Sequence, residues 1–217
     1  MKKTEEYRHL SDKMGYWFTK LPQDILDELK PVIDKVQDNF NQAIPANYQL
    51  AGQIDKEYSV VLPNNIIEYI KMSSSQFMEN NPNYVGNNII SLFKKDVKFV
   101  YEGDAWVNFQ EKYEYNPLHA HTGVFSFVIW YQIPFYKADE IKYGAGKGKE
   151  PEHNKNGEFE FAFYNGSTII THPLGIDKTM EGHMAVFPSN LNHIVYPFYT
   201  SDDYRITLSG NIYLQGH

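Results

Sequence analysis

Asn116-Pro117-Leu118-His119-Ala120-His121-Thr122-Gly123 runs directly into Val124-Phe125-Ser126-Phe127-Val128-Ile129-Trp130-Tyr131-Gln132-Ile133-Pro134. From Ser126 to Ile133 the chain is almost wholly apolar and aromatic, which fits a strand buried on both faces. The two histidines sit at its mouth, one residue apart. Residues i and i+2 of a strand share a face, so His119 and His121 are expected to project together. An isolated His-x-His is also met as two ordinary strand histidines. A second motif shifts the balance toward a site: Pro188-Ser189-Asn190-Leu191-Asn192-His193, followed by Arg205-Ile206-Thr207-Leu208-Ser209.

The 217 residues suffice for one well-buried domain with a helical extension. Aromatic residues make up 16% of the chain, with 17 Tyr and 14 Phe, a load that suits flat rings covering pleated sheet. The formal net charge of −7 argues against a passive phosphate-backbone binder. The chain has no cysteine, which excludes disulfides, iron–sulfur clusters and thiolate zinc sites and fits a reducing compartment. No apolar run reaches the roughly 18 residues of a membrane span. Nothing apolar follows Lys2 and Lys3 as a secretory signal would require. The expected location is the cytoplasm, or the host cytoplasm if the chain is phage-encoded.

Residues 1–20 show no clear period. From Leu21 onward, Ile25, Leu29, Val32 or Ile33, Val36 and Phe40 recur at helical spacing behind the acidic Asp24, Asp27 and Glu28. Pro31 predicts a kink or a split into two helices. A second helix is expected from Pro63, with Ile66, Ile67, Ile70, Phe77 and Met78 on one face, ending at Asn80-Asn81-Pro82. Residues 41–62 are ambiguous, and 83–93 read as a short strand or loop. Val97–Tyr101 and Ala105–Tyr115 read as a hairpin turning at Glu102-Gly103-Asp104. Residues 137–157, broken by Gly144, Gly146 and Gly148, read as a mobile lid or a disordered excursion. Glu158–Tyr164 and Thr168–Thr171 flank an Asn-Gly turn. Strands follow at His183–Phe187, His193–Phe198 and Tyr204–Leu214. Helices first and then roughly eight strands point to an α+β chain with a β-sandwich or barrel core. The expected organisation is one structural domain, with an N-terminal helical region (1–95) packed on a core of residues 96–217.

A metal needs converging deprotonated ligands and open coordination positions. His119 and His121 come from one strand mouth, and His193 can close the site from a facing strand. Three protein ligands on one side of an octahedron are the arrangement of non-haem Fe(II) oxygenases. Arg205, one strand turn later, offers a planar fork suited to a carboxylate, and Thr207 at i+2 adds a hydroxyl on the same face. Together they predict a dicarboxylate that chelates iron at one end and meets Arg205 at the other. Asn108 and Tyr131 are further candidates for holding that cosubstrate. His153, His172 and His183 read as solvent-facing or structural, and His9 and His217 are terminal.

Trp106-Val107-Asn108, Asn116–His121, Ser126–Val128, Phe187-Pro188-Ser189 with His193, and Arg205–Thr207 together resemble the Fe(II)- and 2-oxoglutarate-dependent dioxygenases, particularly a group common in bacteria and phages. The resemblance covers about residues 97–214. It implies a double-stranded β-helix (jelly-roll) core with the N-terminal helices packed against its sheet. It also implies Fe(II), 2-oxoglutarate and O2, with release of succinate and CO2 as an unidentified substrate is hydroxylated. The family scheme puts iron on His119 and His193 and the cosubstrate carboxylate on Arg205. His121 departs from the usual His-x-Asp. Three arrangements follow: a three-histidine site; His121 as first ligand with Gly123 at the carboxylate position, as in iron halogenases; or a carboxylate from Glu114 or Asp139. The three-histidine set of His119, His121 and His193 is the preferred reading. The alternatives in other classes are a non-catalytic jelly-roll module with a structural metal and a three-histidine cupin-type oxygenase that does not use 2-oxoglutarate. The expected partner is a small-molecule or peptide substrate, without stable nucleic-acid or membrane binding. The helices of residues 21–80 serve either a homodimer or the buttressing of the sheet.

Overall fold

The computed structural model describes residues 5–11, 14–81, 98–103, 105–144, 147–150 and 153–215. The chain is mostly β-sheet with some helices. In order the elements are β1 (Glu5–Ser11), β2 (Met14–Lys20), α1 (Gln23–Gln37), β3 (Ile44–Pro45), β4 (Glu57–Val60), α2 (Asn64–Asn80), β5 (Lys98–Val100), β6 (Ala105–Gln110), β7 (Asn116–His119) and β8 (Phe125–Gln132). Then come α3 (Lys137–Glu140), β9 (Phe159–Tyr164), β10 (Ile169–Pro173), β11 (His183–Pro188), β12 (Asn192–Val195) and β13 (Arg205–Gln215).

Two sheets result among the described residues. The large one runs β1-β2-β11-β8-β13-β6-β4-β3, with β5 paired to β13, and the small one runs β10-β9-β12-β7. Strand parity then sets the layers. One face of the large sheet carries Val107, Phe109, Phe125, Ile129, Val186, Ile206 and Leu208, which pack on Ile25, Leu29 and Ile33 of α1 and Ile66, Ile70 and Phe77 of α2. The other face carries Tyr16, Phe18, Val128, Trp130, Ala185 and Phe187, which pack on Phe159, Phe161 and Phe163 of the small sheet. β8 lies between β11 and β13 and is covered on both faces, as its unbroken apolar sequence requires.

Several expectations change. Pro31 lies inside one continuous α1, on its exposed side, while the buried stripe of Ile25, Leu29, Ile33 and Val36 runs unbroken past it. Packing of that stripe outweighs one lost backbone hydrogen bond. Lys98–Val100 and Ala105–Gln110 do not form a hairpin with each other. β5 pairs with the far end of β13, and β6 lies between β13 and β4. Residues 5–20 form a hairpin whose second strand pairs with β11. The N-terminal region is therefore not helices alone, since β1 to β4 lie in the same sheet as β6, β8, β11 and β13. The 83–93 expectation falls outside the described residues. No helix among the described residues is long and apolar enough to cross a membrane.

Candidate metal centre

His119 ends β7 at the edge of the small sheet, directly opposite His193 on β12. The strand stops there. Residues 120–124 carry the chain across to β8 in the large sheet, and His121 stands on this crossing rather than on a strand. Its alignment comes from Ser189 in the loop between β11 and β12. The His121 N–H donates to the Ser189 carbonyl (2.8 Å), the Ser189 N–H to the Val124 carbonyl (3.1 Å), and Ser189 Oγ to the Gly123 carbonyl (2.5 Å). Gly123 sits at φ +86°, and a Cβ there would stand 2.8 Å from the Ile212 carbonyl oxygen. The turn therefore demands glycine for backbone reasons.

This clamp brings His121 to the other two rings. One ligand atom from each of His119, His121 and His193 lies within 4.8 Å of those of the other two. His119 Nδ1 donates to the Pro117 carbonyl (2.7 Å) and His193 Nδ1 to the Leu191 carbonyl (3.0 Å), which leaves each Nε2 with a free lone pair. His121 is stacked on Trp106 (centroids 5.4 Å apart, 20° between planes), and Asn211 hydrogen-bonds it from β13. Its Nε2 is buried without a partner among the described residues. His193 is fully enclosed by Phe159 and Phe187. Burial lowers the pKa of all three imidazoles, His121 to about 4 and His193 well below the ordinary value, with the neighbouring histidines adding to the effect at His121 and His193. Three neutral imidazoles with converging free nitrogens are a donor set that fits a divalent transition metal.

A cavity of about 420 Å³ opens beside them. Its back wall is the inner face of the large sheet, where the cross-strand pairs Trp106–Ser209, Asn108–Thr207 and Gln110–Arg205 follow one another. Asn108 Nδ2 donates to Thr207 Oγ1 (3.4 Å). Arg205 is 1% exposed. Its Nε and one Nη donate to Gln110 Oε1 (3.0 and 2.7 Å), and its other bonds go to the Gly157 carbonyl (2.8 Å) and the Tyr196 carbonyl (2.9 Å). Four of its five donors are thus engaged. Burial lowers its pKa to about 10, which leaves it cationic at neutral pH, and Glu158 and Glu140 oppose the shift.

The structure therefore gathers His119, His121, His193, Asn108, Arg205 and Thr207 around one cavity and leaves out Tyr131. Trp130 faces the cavity, so its neighbour Tyr131 points to the helical side, where Lys30 and Asp34 of α1 are its charged neighbours. Glu114 is also elsewhere, accepting from the backbone N–H groups of Asp55 and Glu111, and the exposed Asp139 pairs with Lys142. Neither carboxylate belongs to the histidine cluster. His172 meets Tyr16, and His183 donates to the Met180 carbonyl while stacking on Phe18. The ends of 137–157 are pinned: Glu140 accepts from Tyr199 and Thr200, and Lys137 reaches the Asn154 and Asn156 carbonyls. No described residue of 137–156 lines the cavity. Part of the wall comes instead from residues between Ala46 and Ile54, together with Glu57 and Ser59 of β4, none of which stood out in the sequence.

Residues 104–211 match the family described as "Putative 2OG-Fe(II) oxygenase", a span that takes in all three histidines and Arg205. The chain belongs to the 2OG-Fe(II) oxygenase superfamily. This oxygenase is similar in fold to a Pseudomonas putida prolyl-4-hydroxylase, at 14% identity and a TM-score of 0.51 over 94% of each chain. It is similar also to a Trichoplax adhaerens prolyl hydroxylase, solved in complex with a hypoxia inducible factor oxygen degradation domain peptide fragment. That match has 10% identity and a TM-score of 0.52, covering 93% of the oxygenase and 83% of the other chain. At these identities the likeness speaks for the fold. No curated protein matches the chain.

Proposed function

We propose that this oxygenase hydroxylates a small-molecule or peptide substrate while 2-oxoglutarate and O2 give succinate and CO2, with His119, His121 and His193 holding the Fe(II). The observation that carries this reading is the convergence of three neutral imidazoles, each with Nε2 free, on an open cavity. Bound Fe(II) would supply the redox chemistry that activates O2. The chain does the rest. Arg205, held by Gln110, gives the cavity a fixed positive charge for the far carboxylate of 2-oxoglutarate, and Thr207 and Asn108 add polar contacts on the next rung. Trp106, Trp130, Phe159 and Phe187 wall the site and keep bulk water from the reacting groups. With His121 where a carboxylate is usual, the protein ligands carry one negative charge less. The carboxylates of the cosubstrate compensate.

The facing sheets, with His119 and His193 on one and Arg205 on the other, support a double-stranded β-helix core. Sheet pairing between β2 and β11 and between β4 and β6 supports one structural domain, residues 1–95 packed on 96–217. The open cavity weighs against a closed structural metal site, which would have no free position. Aerobic release of succinate that depends on Fe(II) and is abolished in His193→Ala is the expected result. Metal titration should show that His121→Ala weakens binding as much as His119→Ala does. Absence of both metal and 2-oxoglutarate binding overturns the reading.

One observation favours a second reading, a three-histidine oxygenase of the cupin type that does not use 2-oxoglutarate: four donors of Arg205 are already engaged by Gln110, Gly157 and Tyr196. Full activity in Arg205→Ala without 2-oxoglutarate would decide for it.

A further inference from the structure

Among the described residues the cavity wall holds two side chains with formal charge besides its histidines, Arg205 and Glu57, and they are not paired with each other. Glu57 is 1% exposed, and neither of its carboxylate oxygens has a hydrogen-bond partner among the described residues. Two more acceptors nearby are equally bare. Asn108, its cross-strand neighbour, has a buried unpartnered Oδ1, and so does Asn116, three residues before His119. Glu57 Oε1 and Asn116 Oδ1 both flank Gly52, lying 2.7 and 2.4 Å from where a Cβ on that residue would stand. Four buried oxygens on residues that line the cavity thus have no donor among the described residues. A buried acceptor left unmet is costly, more so when charged, so such a group of them marks a place shaped for donors that arrive from outside.

We propose that Glu57 and Asn116 form the subsite that anchors the primary substrate, and that they take a cationic N–H group, an ammonium or a guanidinium. The assignment rests on the oxygenase reading of the same cavity and adds the substrate's chemical class to it. A cation supplies both the donors and the countercharge that the carboxylate lacks. Burial, with the charge of Glu114 adding to it, pushes the empty carboxyl up to about 7, and a bound cation would bring it back down. The two charged groups divide the work: Arg205 suits the dicarboxylate, and Glu57 the nitrogen end of the molecule to be oxidised.

Calorimetric titration of the full chain with butylammonium and ethylguanidinium, against butyramide as the neutral control, tests this. At least one cation should bind at least 10-fold tighter than butyramide, and Glu57→Gln should remove that preference. Gly52→Ala gives a second variant, because its methyl group would collide with Asn116 Oδ1 and Glu57 Oε1 and displace both without changing charge. It too should weaken the cation at least 10-fold. Cations that bind no better than butyramide, or that bind wild type and both variants alike, overturn the subsite. Zn(II) titration of the same wild-type sample separates the two readings. Cation binding without metal binding would sink the iron assignment and leave the subsite standing, and the reverse would sink only the subsite.

Discussion

His119, His193 and Arg205 were legible because each stands in a short motif whose spacing has chemical meaning. Glu57 was not. In Glu57-Tyr58-Ser59-Val60 the polar residues alternate with apolar ones, the ordinary mark of a strand with one wet face. Nothing in the sequence says that this polar face looks into a cavity. Tyr131 fails for a related reason: parity along β8 is fixed by Val128 and Trp130, and a reading displaced by one residue changes sides. The buried carboxyl has a consequence for stability. Its pKa of about 7 lies above the ordinary 4.5. Below pH 4.5 both folded and unfolded chains hold the proton, so there is no penalty. Between pH 4.5 and 7 the unfolded chain releases it first, and native stability falls as pH rises. Above pH 7 the whole penalty is present. The stability advantage of Glu57→Gln over wild type in ligand-free urea unfolding should therefore grow between pH 4.5 and 8. A difference independent of pH would mean that Glu57 is paired.

At the scale of elements, long periodic stretches read well, and partners did not. α1, α2, β8 and the β9–β10 hairpin follow from periods of 3.6 and 2 and from the Asn165-Gly166 turn. β5 looked like the partner of β6 because hairpins are the local solution, yet its partner is β13, which lies far along the chain. Residues 5–20 resisted reading since their side chains alternate between two hydrophobic layers, Tyr16 and Phe18 on one and Trp17 on the other. The crossing from β7 to β8 was likewise misjudged as a strand face, although the two histidines do converge. That convergence depends on a backbone turn, so it can be tested at Gly123. Gly123→Ala places a methyl group against the Ile212 carbonyl at a φ of +86°. The expected cost is about 1–3 kcal/mol of strain, together with a fall in Zn(II) affinity on the order of 10-fold as the Ser189 clamp shifts His121. Stability lost with metal affinity intact would show that His121 does not depend on the turn.

For the whole molecule, the decisive feature is that the catalytic motifs and the material that supports them are far apart in the chain. Residues 96–217 carry the three histidines and Arg205, yet one face of their strands packs with Leu21, Ile25, Leu29, Ile33, Val36, Leu62, Ile66, Ile70 and Phe77, and with Trp17 and Val60 from other strands of the same sheet. Without those eleven side chains, the apolar face of residues 96–217 would stand in water. The same N-terminal half supplies Glu57, Ser59 and the Ala46–Ile54 wall of the cavity. A fragment of residues 96–217 should therefore show no cooperative thermal transition in near-UV circular dichroism and should expose apolar surface to a fluorescent dye. The full chain should melt in one transition. A fragment that melts sharply and binds metal with the affinity of the full chain would make residues 1–95 an attachment, whereas failure of the fragment makes them part of one domain, in which cover and cavity wall arise from the same hundred residues.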